Sequence, residues 1–236
     1  MFKEALEYIV GLKEPTIKEI GGSIYSDKPL NRVSYMPYAK AIEMCTLTSF
    51  VDYIKANIDK MSDKMIIHVV SPTSVKLYSQ LDNDRNREYL VEVNAQLPSF
   101  RFGDFLDHEA FCIALQSKFV KNNDRDLVLK FAGTVEDGTV AEYGDDGVTQ
   151  KATVKSGLTS KTDAIVPNPV KLCPYRTFLE VEQPASDFIF RMRSERGVQC
   201  AIFEADGGAW KNAAMENIKK YLQGKLDDLS QFTVIS

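Results

Sequence analysis

Histidine is nearly absent from this chain. Only His68 and His108 occur among 236 residues. Neither lies near a Gly-x-Ser-x-Gly serine, so a Ser-His-Asp site of the hydrolase kind is not expected. His108-Glu109 opens a predicted helix, but Cys112 stands where an HExxH zinc motif needs its second histidine. Cysteine is sparse too. Cys45, Cys112, Cys173 and Cys200 form no C-x-x-C pair, which removes zinc-ribbon and thioredoxin-type sites. Their apolar neighbours predict four scattered core thiols. No metal, no cofactor and no catalytic residue is expected.

Other absences narrow the field further. No G-x-G-x-x-G follows a predicted strand, and Gly157–Thr162 lacks the glycine that precedes the lysine of a phosphate-binding loop. Asp82-Asn83-Asp84-Arg85-Asn86 starts like a calcium loop, but Arg87 replaces the required glycine and Val93 the final carboxylate. Asp206-Gly207-Gly208 before a helix offers backbone N–H groups to an anion, and equally serves as a plain strand-to-helix turn. Asp104, Asp107 and Glu109 cluster at a helix start, where the macrodipole is a sufficient reason for them. The apolar runs are short, Met65–Ile67 with Val69-Val70 beyond His68 and Ala110–Leu115 being the longest, far short of the roughly 20 residues of a bilayer span. The N-terminus mixes acids with apolar residues and reads as an amphipathic helix, not a signal peptide. These features predict a soluble cytoplasmic protein with no membrane partner.

What is present is ordinary globular material: 44% hydrophobic, 26% charged, net charge −4 and pI about 5.4. That balance disfavours a nucleic-acid backbone as partner, since such a domain usually carries a basic stripe. A helix is predicted over about 2-12, with Phe2, Ala5, Leu6, Ile9 and Val10 on one face. Extended pieces near 16–20 and 23–25 flank Gly21-Gly22. A second helix, about 50–58, turns Phe50, Val51, Ile54 and Ile58 inward behind a Thr48 or Ser49 cap. Strands over 64–70, 74–81 and 88–95 read as an antiparallel meander. A third helix after Asp107 carries Phe111, Ala114, Leu115 and Phe119, and Leu127–Thr134 fits helix or strand. The Gly/Asp/Thr-rich stretch at about 136-162 reads as an exposed hairpin. Residues 187–194 and 198–204 form a C-terminal hairpin before a helix over 209–222. The tail, about 225-236, has strong β propensity over Leu229–Ile235, and docks on a neighbouring subunit or on its own sheet. Together these predict an α+β fold, an antiparallel β-sheet packed against a few helices, in one domain over 1-236.

One constellation stands out. In the strand over 187–194, Phe188, Phe190 and Met192 point one way, and Ile189, Arg191 and Arg193 the other. With Arg196 at the turn, three guanidinium groups lie along one hairpin edge, a candidate anion or subunit contact. Asp187, Glu195, Glu204 or a second subunit are the expected partners, ahead of nucleic acid.

The stretches Pro174–Pro184 (PYRTFLEVEQP) and Phe203–Trp210 (FEADGGAW), with looser similarity at Thr48–Ile54, Asp146–Gln150 and Thr153–Gly157, resemble the YfdQ-like family of uncharacterised phage and prophage proteins. The resemblance implies a phage or prophage origin and the cytoplasm of a bacterial host, and carries no activity. The expectation is a non-enzymatic accessory protein that self-assembles into a homo-oligomer. The alternatives are a single-stranded nucleic-acid-binding helper of phage recombination and a nucleotide-signal sponge in anti-defence.

Overall fold

The computed structural model describes residues 2–11, 15–28, 39–61, 63–82, 85–134, 140–145, 150–156, 160–166, 168–193 and 197–236. Side chains of 134 and 140–166 are not described. Where the sequence suggested one domain over 1-236, the chain divides into two compact units, Met1–Tyr38 and Ala39–Ser236.

The first unit holds helix α1 (Phe2–Gly11) and an antiparallel hairpin, β1 (Ile17–Ile20) with β2 (Ser23–Ser26). Gly21 and Gly22 both take positive φ, +60° and +78°, which only glycine adopts without strain and which matches the twist of a two-residue hairpin. The Asp27 carboxylate accepts from Thr16 N–H at 2.7 Å and closes the open end. No residue of α1 is buried, and all residues of β1 and β2 are exposed. The helix expected from its apolar face thus forms, but that face covers no core.

In the second unit, β3 (Ile42–Met44) leads into α2 (Leu47–Ala56), and the meander follows as β4 (Met65–Ser71), β5 (Ser74–Ser79) and β6 (Tyr89–Asn94). Next come β7 (Leu106–Asp107), α3 (His108–Ser117) and α4 (Asn123–Thr134), so the ambiguous stretch at 127–134 is helical. The Gly-rich region builds three antiparallel strands, β8 (Val140–Asp145), β9 (Gln150–Ser156) and β10 (Ser160–Val166), one more than the expected hairpin. Then follow β11 (Val170–Leu172), β12 (Ser186–Arg193), β13 (Gln199–Glu204), α5 (Trp210–Lys225) and β14 (Phe232–Ile235).

The α+β class is as expected; the edge strand β3 is not, and the tail takes the second of its two expected places. The five-stranded sheet runs β14-β4-β5-β6-β3, and both outer strands pair parallel. The tail therefore docks on its own sheet, in the register Phe232↔Met65 to Ile235↔His68. That removes the argument for a tail inserted into a neighbour. A second sheet runs β11-β12-β13-β7.

Each sheet has its own core. Ile67, Val69, Leu77, Val91 and Val93 on the inward face of the meander meet Phe50 and Ile54 of α2 and Ile218 and Leu222 of α5. Phe188, Phe190 and Ile202 of the other sheet meet Phe111, Leu115 and Phe119 from α3 and its end, and Val128 and Phe131 of α4. Three details depart from expectation. Asn57 takes a left-handed φ of 44° and ends α2, so Ile58 leaves the stripe and is exposed. The cap is Thr46, whose side chain accepts from Ser49 N–H. Of the four cysteines only Cys200 is buried; Cys112 and Cys173 are half-buried, and Cys45, in the link between β3 and the α2 cap, is exposed.

One loop touches both cores. Phe178 and Val181 sit in the first, and Leu172 and Phe188, on either side of them in sequence, sit in the second. The buried Gln183 carboxamide holds this loop. Its oxygen accepts from Arg176 N–H at 3.0 Å and Thr177 N–H at 3.2 Å, and its nitrogen donates to Phe178 C=O at 3.0 Å. The Thr177 hydroxyl donates to Pro72 C=O at 2.6 Å, and Glu180 accepts from Thr48 N–H at 3.1 Å. Gln183→Leu keeps the volume and leaves buried amides without acceptors. It should lower unfolding free energy by about 2–4 kcal/mol in urea titration, the cost of several orphaned groups. A loss under about 0.5 kcal/mol, typical of a surface site, would remove the loop's central role.

Candidate functional site

The stretches 174–184 and 203–210 meet in space at Arg176. This side chain is more than nine-tenths buried. Its Nη1 donates to Glu204 Oε1 at 2.6 Å and its Nη2 to the Ser186 hydroxyl. The guanidinium lies 3.9 Å from the Trp210 ring centroid and 5.6 Å from that of Phe188. Burial lowers the Arg176 pKa, opposed by the charges of Glu204 and Asp206. The group stays charged, since arginine starts far above any working pH.

Asp206 completes the cluster. Burial works against its ionisation, yet the Ser186 hydroxyl, the Gly208 and Trp210 N–H groups and the Arg176 charge hold its pKa below the usual carboxylate value. Gly208 N–H reaches Oδ1 at 3.0 Å and Trp210 N–H reaches Oδ2 at 3.3 Å. The free N–H groups at the start of α5 thus receive an anion from within the chain. The turn reading of Asp206-Gly207-Gly208 is the one that fits. Gly207 and Gly208 both take positive φ there.

The arrangement pairs one guanidinium with two carboxylates, a hydroxyl and an indole. Neither histidine belongs to it. His68 is half-buried on β4, and His108 Nε2 lies 2.7 Å from Ala132 C=O. Among the described residues, no group of three or more His, Cys, Asp or Glu side chains could hold a metal ion. Burial raises the thiol pKa of Cys112 and Cys173 and pushes Cys200 up to about 12. Among the described residues, no helix is long and apolar enough to cross a membrane.

The arginine row is placed only in part. The alternation along β12 is as read: Phe188, Phe190 and Met192 are buried, Arg191 is half-buried and Arg193 exposed. Arg196 lies outside the described residues. Arg191 Nη1 donates to Phe190 C=O at 3.0 Å. Arg193 Nε donates to Gln199 Oε1 at 2.9 Å, and its guanidinium lies 4.0 Å from the Phe105 ring centroid. Of the expected carboxylate partners, Glu204 pairs instead with Arg176, because its register opposite Phe188 turns it to the inward face. Glu195 lies outside the described residues.

The reading of β12 alone missed the aromatic neighbours of these arginines. Ile189 pairs with Phe203, so Phe203 shares the arginine face, and Phe105 meets it edge-on at 6.2 Å. Applying the same alternation to 199–204, with the hairpin register, brings Phe203 to that face. Phe105 comes from a loop whose path no local pattern encodes. Comparison with protein-family models, curated proteins and solved structures finds no match.

Asp206 has a pH signature. Its folded-state pKa is depressed, so its contribution to stability is present above the unfolded value of about 3.9 and is lost as pH falls through the folded value. Asp206→Asn should cost about 0.5–1 kcal/mol at neutral pH, a capping value discounted for partial exposure. The gap between wild type and variant should close as pH drops below about 4. Chemical denaturation across that range measures it, and a gap independent of pH would refute the assignment.

Proposed function

We propose that this chain is a phage- or prophage-encoded accessory protein that acts by binding and self-assembly rather than by catalysis. Its homo-oligomer contact is the first unit. The observation that carries this reading is the uncovered apolar surface there. Phe2, Tyr8, Ile9, Val10, Ile20 and Ile24 are each more than half exposed. The hairpin turns Ile20 and Ile24 to opposite faces, so the single stripe offered to a partner is Phe2, Leu6, Ile9 and Val10 along α1.

A second copy is the occupant this surface fits. Lys3 and Glu7 stand one turn apart on α1. A two-fold antiparallel crossing at Ala5, the small residue of the face, sets each lysine beside the other copy's glutamate. The resemblance of 174–184 and 203–210 to the YfdQ-like family supports the phage origin, and with it a place in the bacterial cytoplasm. Light scattering after size exclusion should give a mass above one chain at micromolar concentration. The double variant Leu6→Asp/Ile9→Asp should run as a monomer with the thermal unfolding of residues 39–236 unchanged. A monomeric wild type, or a variant of unaltered mass, would sink the proposal.

The Arg193–Phe105–Phe203 strip favours a second reading. Aromatic rings beside guanidinium groups are what single-stranded nucleic acid stacks on and pairs with. Against it stands the net charge of −4, which repels a polyanion at range. In fluorescence anisotropy with a labelled single-stranded oligonucleotide, this reading expects binding that falls steeply with salt and is lost in Arg193→Ala/Phe203→Ala. No binding at low salt eliminates it.

A further inference from the structure

A cleft of about 110 Å³ opens beside the Arg176 cluster, between the loop carrying Leu97, Pro98, Phe100 and Phe102 and the segment Pro174–Arg176, with Lys118 at the end of α3. Its frame is fixed by backbone bonds. Tyr175 N–H donates to Lys118 C=O at 2.9 Å, and Val120 N–H donates to Cys173 C=O at 2.8 Å. Phe119 and Pro174 form a bridge between the same two segments. Ring contacts fix the aromatic wall: Phe102 stacks on Phe188 at 5.3 Å, and Phe100 meets Phe119 edge-on at 5.2 Å.

The lining is apolar with a positive end. Among the described residues, no carboxylate lines the cleft. The Lys118 ammonium donates to Ser99 C=O at 2.5 Å and, among the described residues, has no carboxylate within 4.0 Å. An ammonium carries three donors, so two remain to be matched. Arg176 also lines the cleft, and its Nε is buried with no hydrogen-bond partner. Elsewhere around Arg176 the positive charge is answered by Glu204 and Asp206; the Lys118 charge is not.

We infer that this cleft is a binding subsite for a small carboxylic acid, its carboxylate on Lys118 and its compact apolar body between Phe100, Phe102 and Pro174. Volume sets the class. A cleft of about 110 Å³ encloses a handful of heavy atoms, the size of a short-chain acid. Charge sets the head group: a carboxylate on an ammonium at the edge of an apolar wall makes a charge-assisted hydrogen bond, about twice as strong as a neutral one. The walls set the tail, since a bare inorganic anion would leave them wet.

The test uses the full chain, isotopically labelled, with propionate, propionamide and inorganic phosphate as probes in amide chemical-shift titrations. Propionate should shift the amides of Phe100, Phe102, Lys118 and Tyr175 saturably, and propionamide should not. Lys118→Gln, which can still donate to Ser99 C=O, should weaken propionate about tenfold, the value of one charge-assisted contact, and Lys118→Arg should retain it. The inference is overturned by any of three results: no localised shifts, equal shifts from propionamide, or binding indifferent to Lys118→Gln. Phosphate binding as tightly as propionate would also overturn it, since the cleft would then be reading charge without an apolar body.

Discussion

The second unit depends on one buried carboxamide. Two sheets with separate cores need a reason to stay together, and the backbone between Leu172 and Phe188 supplies it by contributing Phe178 and Val181 to one core and its two ends to the other. Such a crossing must be irregular, because it belongs to neither sheet, and irregular backbone away from water needs partners for every N–H and C=O. Gln183 answers that need with both ends of its amide at once. An apolar residue there could fill the volume but not close the ledger of donors and acceptors.

Arg176 follows from the same loop. The Gln183 oxygen holds Arg176 N–H, and this aims the side chain between Trp210 and Phe188. Burying a guanidinium is costly unless it is paired, and removing one partner of such a pair leaves the cost uncompensated. Here Glu204, the last residue of β13, meets one nitrogen, and Ser186, the first residue of β12, meets another. Ser186 relays to Asp206, which in turn holds the N–H groups that open α5. One chain of polar contacts thus ties the loop, the hairpin of the second sheet and the helix that covers the first sheet.

Much of this was legible where the signal is local. The meander, the C-terminal hairpin and the inward face of α3 follow from period and turn residues, since each side chain's direction depends only on its own element. The strand β3, and the parallel direction and partner of β14, were not legible, because a three- or four-residue strand carries no period, and its pairing is decided by which edge is open. The Arg176 cluster was visible only as two distinctive stretches of sequence. Nothing in either says that Arg176 reaches Glu204, 28 residues on. Alternation along β12 sorted its own residues correctly but said nothing of Phe203, which the register of β13 puts on the arginine face, or of Phe105, which reaches Arg193 from a loop.

The first unit poses the opposite physical problem. A ten-residue helix is marginal alone in water, and so is an isolated two-stranded hairpin. Within the second unit every helix gains stability by laying a stripe on a sheet; α1 has the stripe, with Phe2, Leu6, Ile9 and Val10 along it, and none of these is buried. Its amphipathic pattern has no use to a helix that stays solvated. If a second copy covers that face, the ordering of α1 and the association of chains become one equilibrium, and helix content in this segment depends on protein concentration. Self-assembly would then rest on the part of the chain least able to stand by itself, while the Gln183 loop and the Arg176 network keep the rest of the chain folded whether or not chains associate.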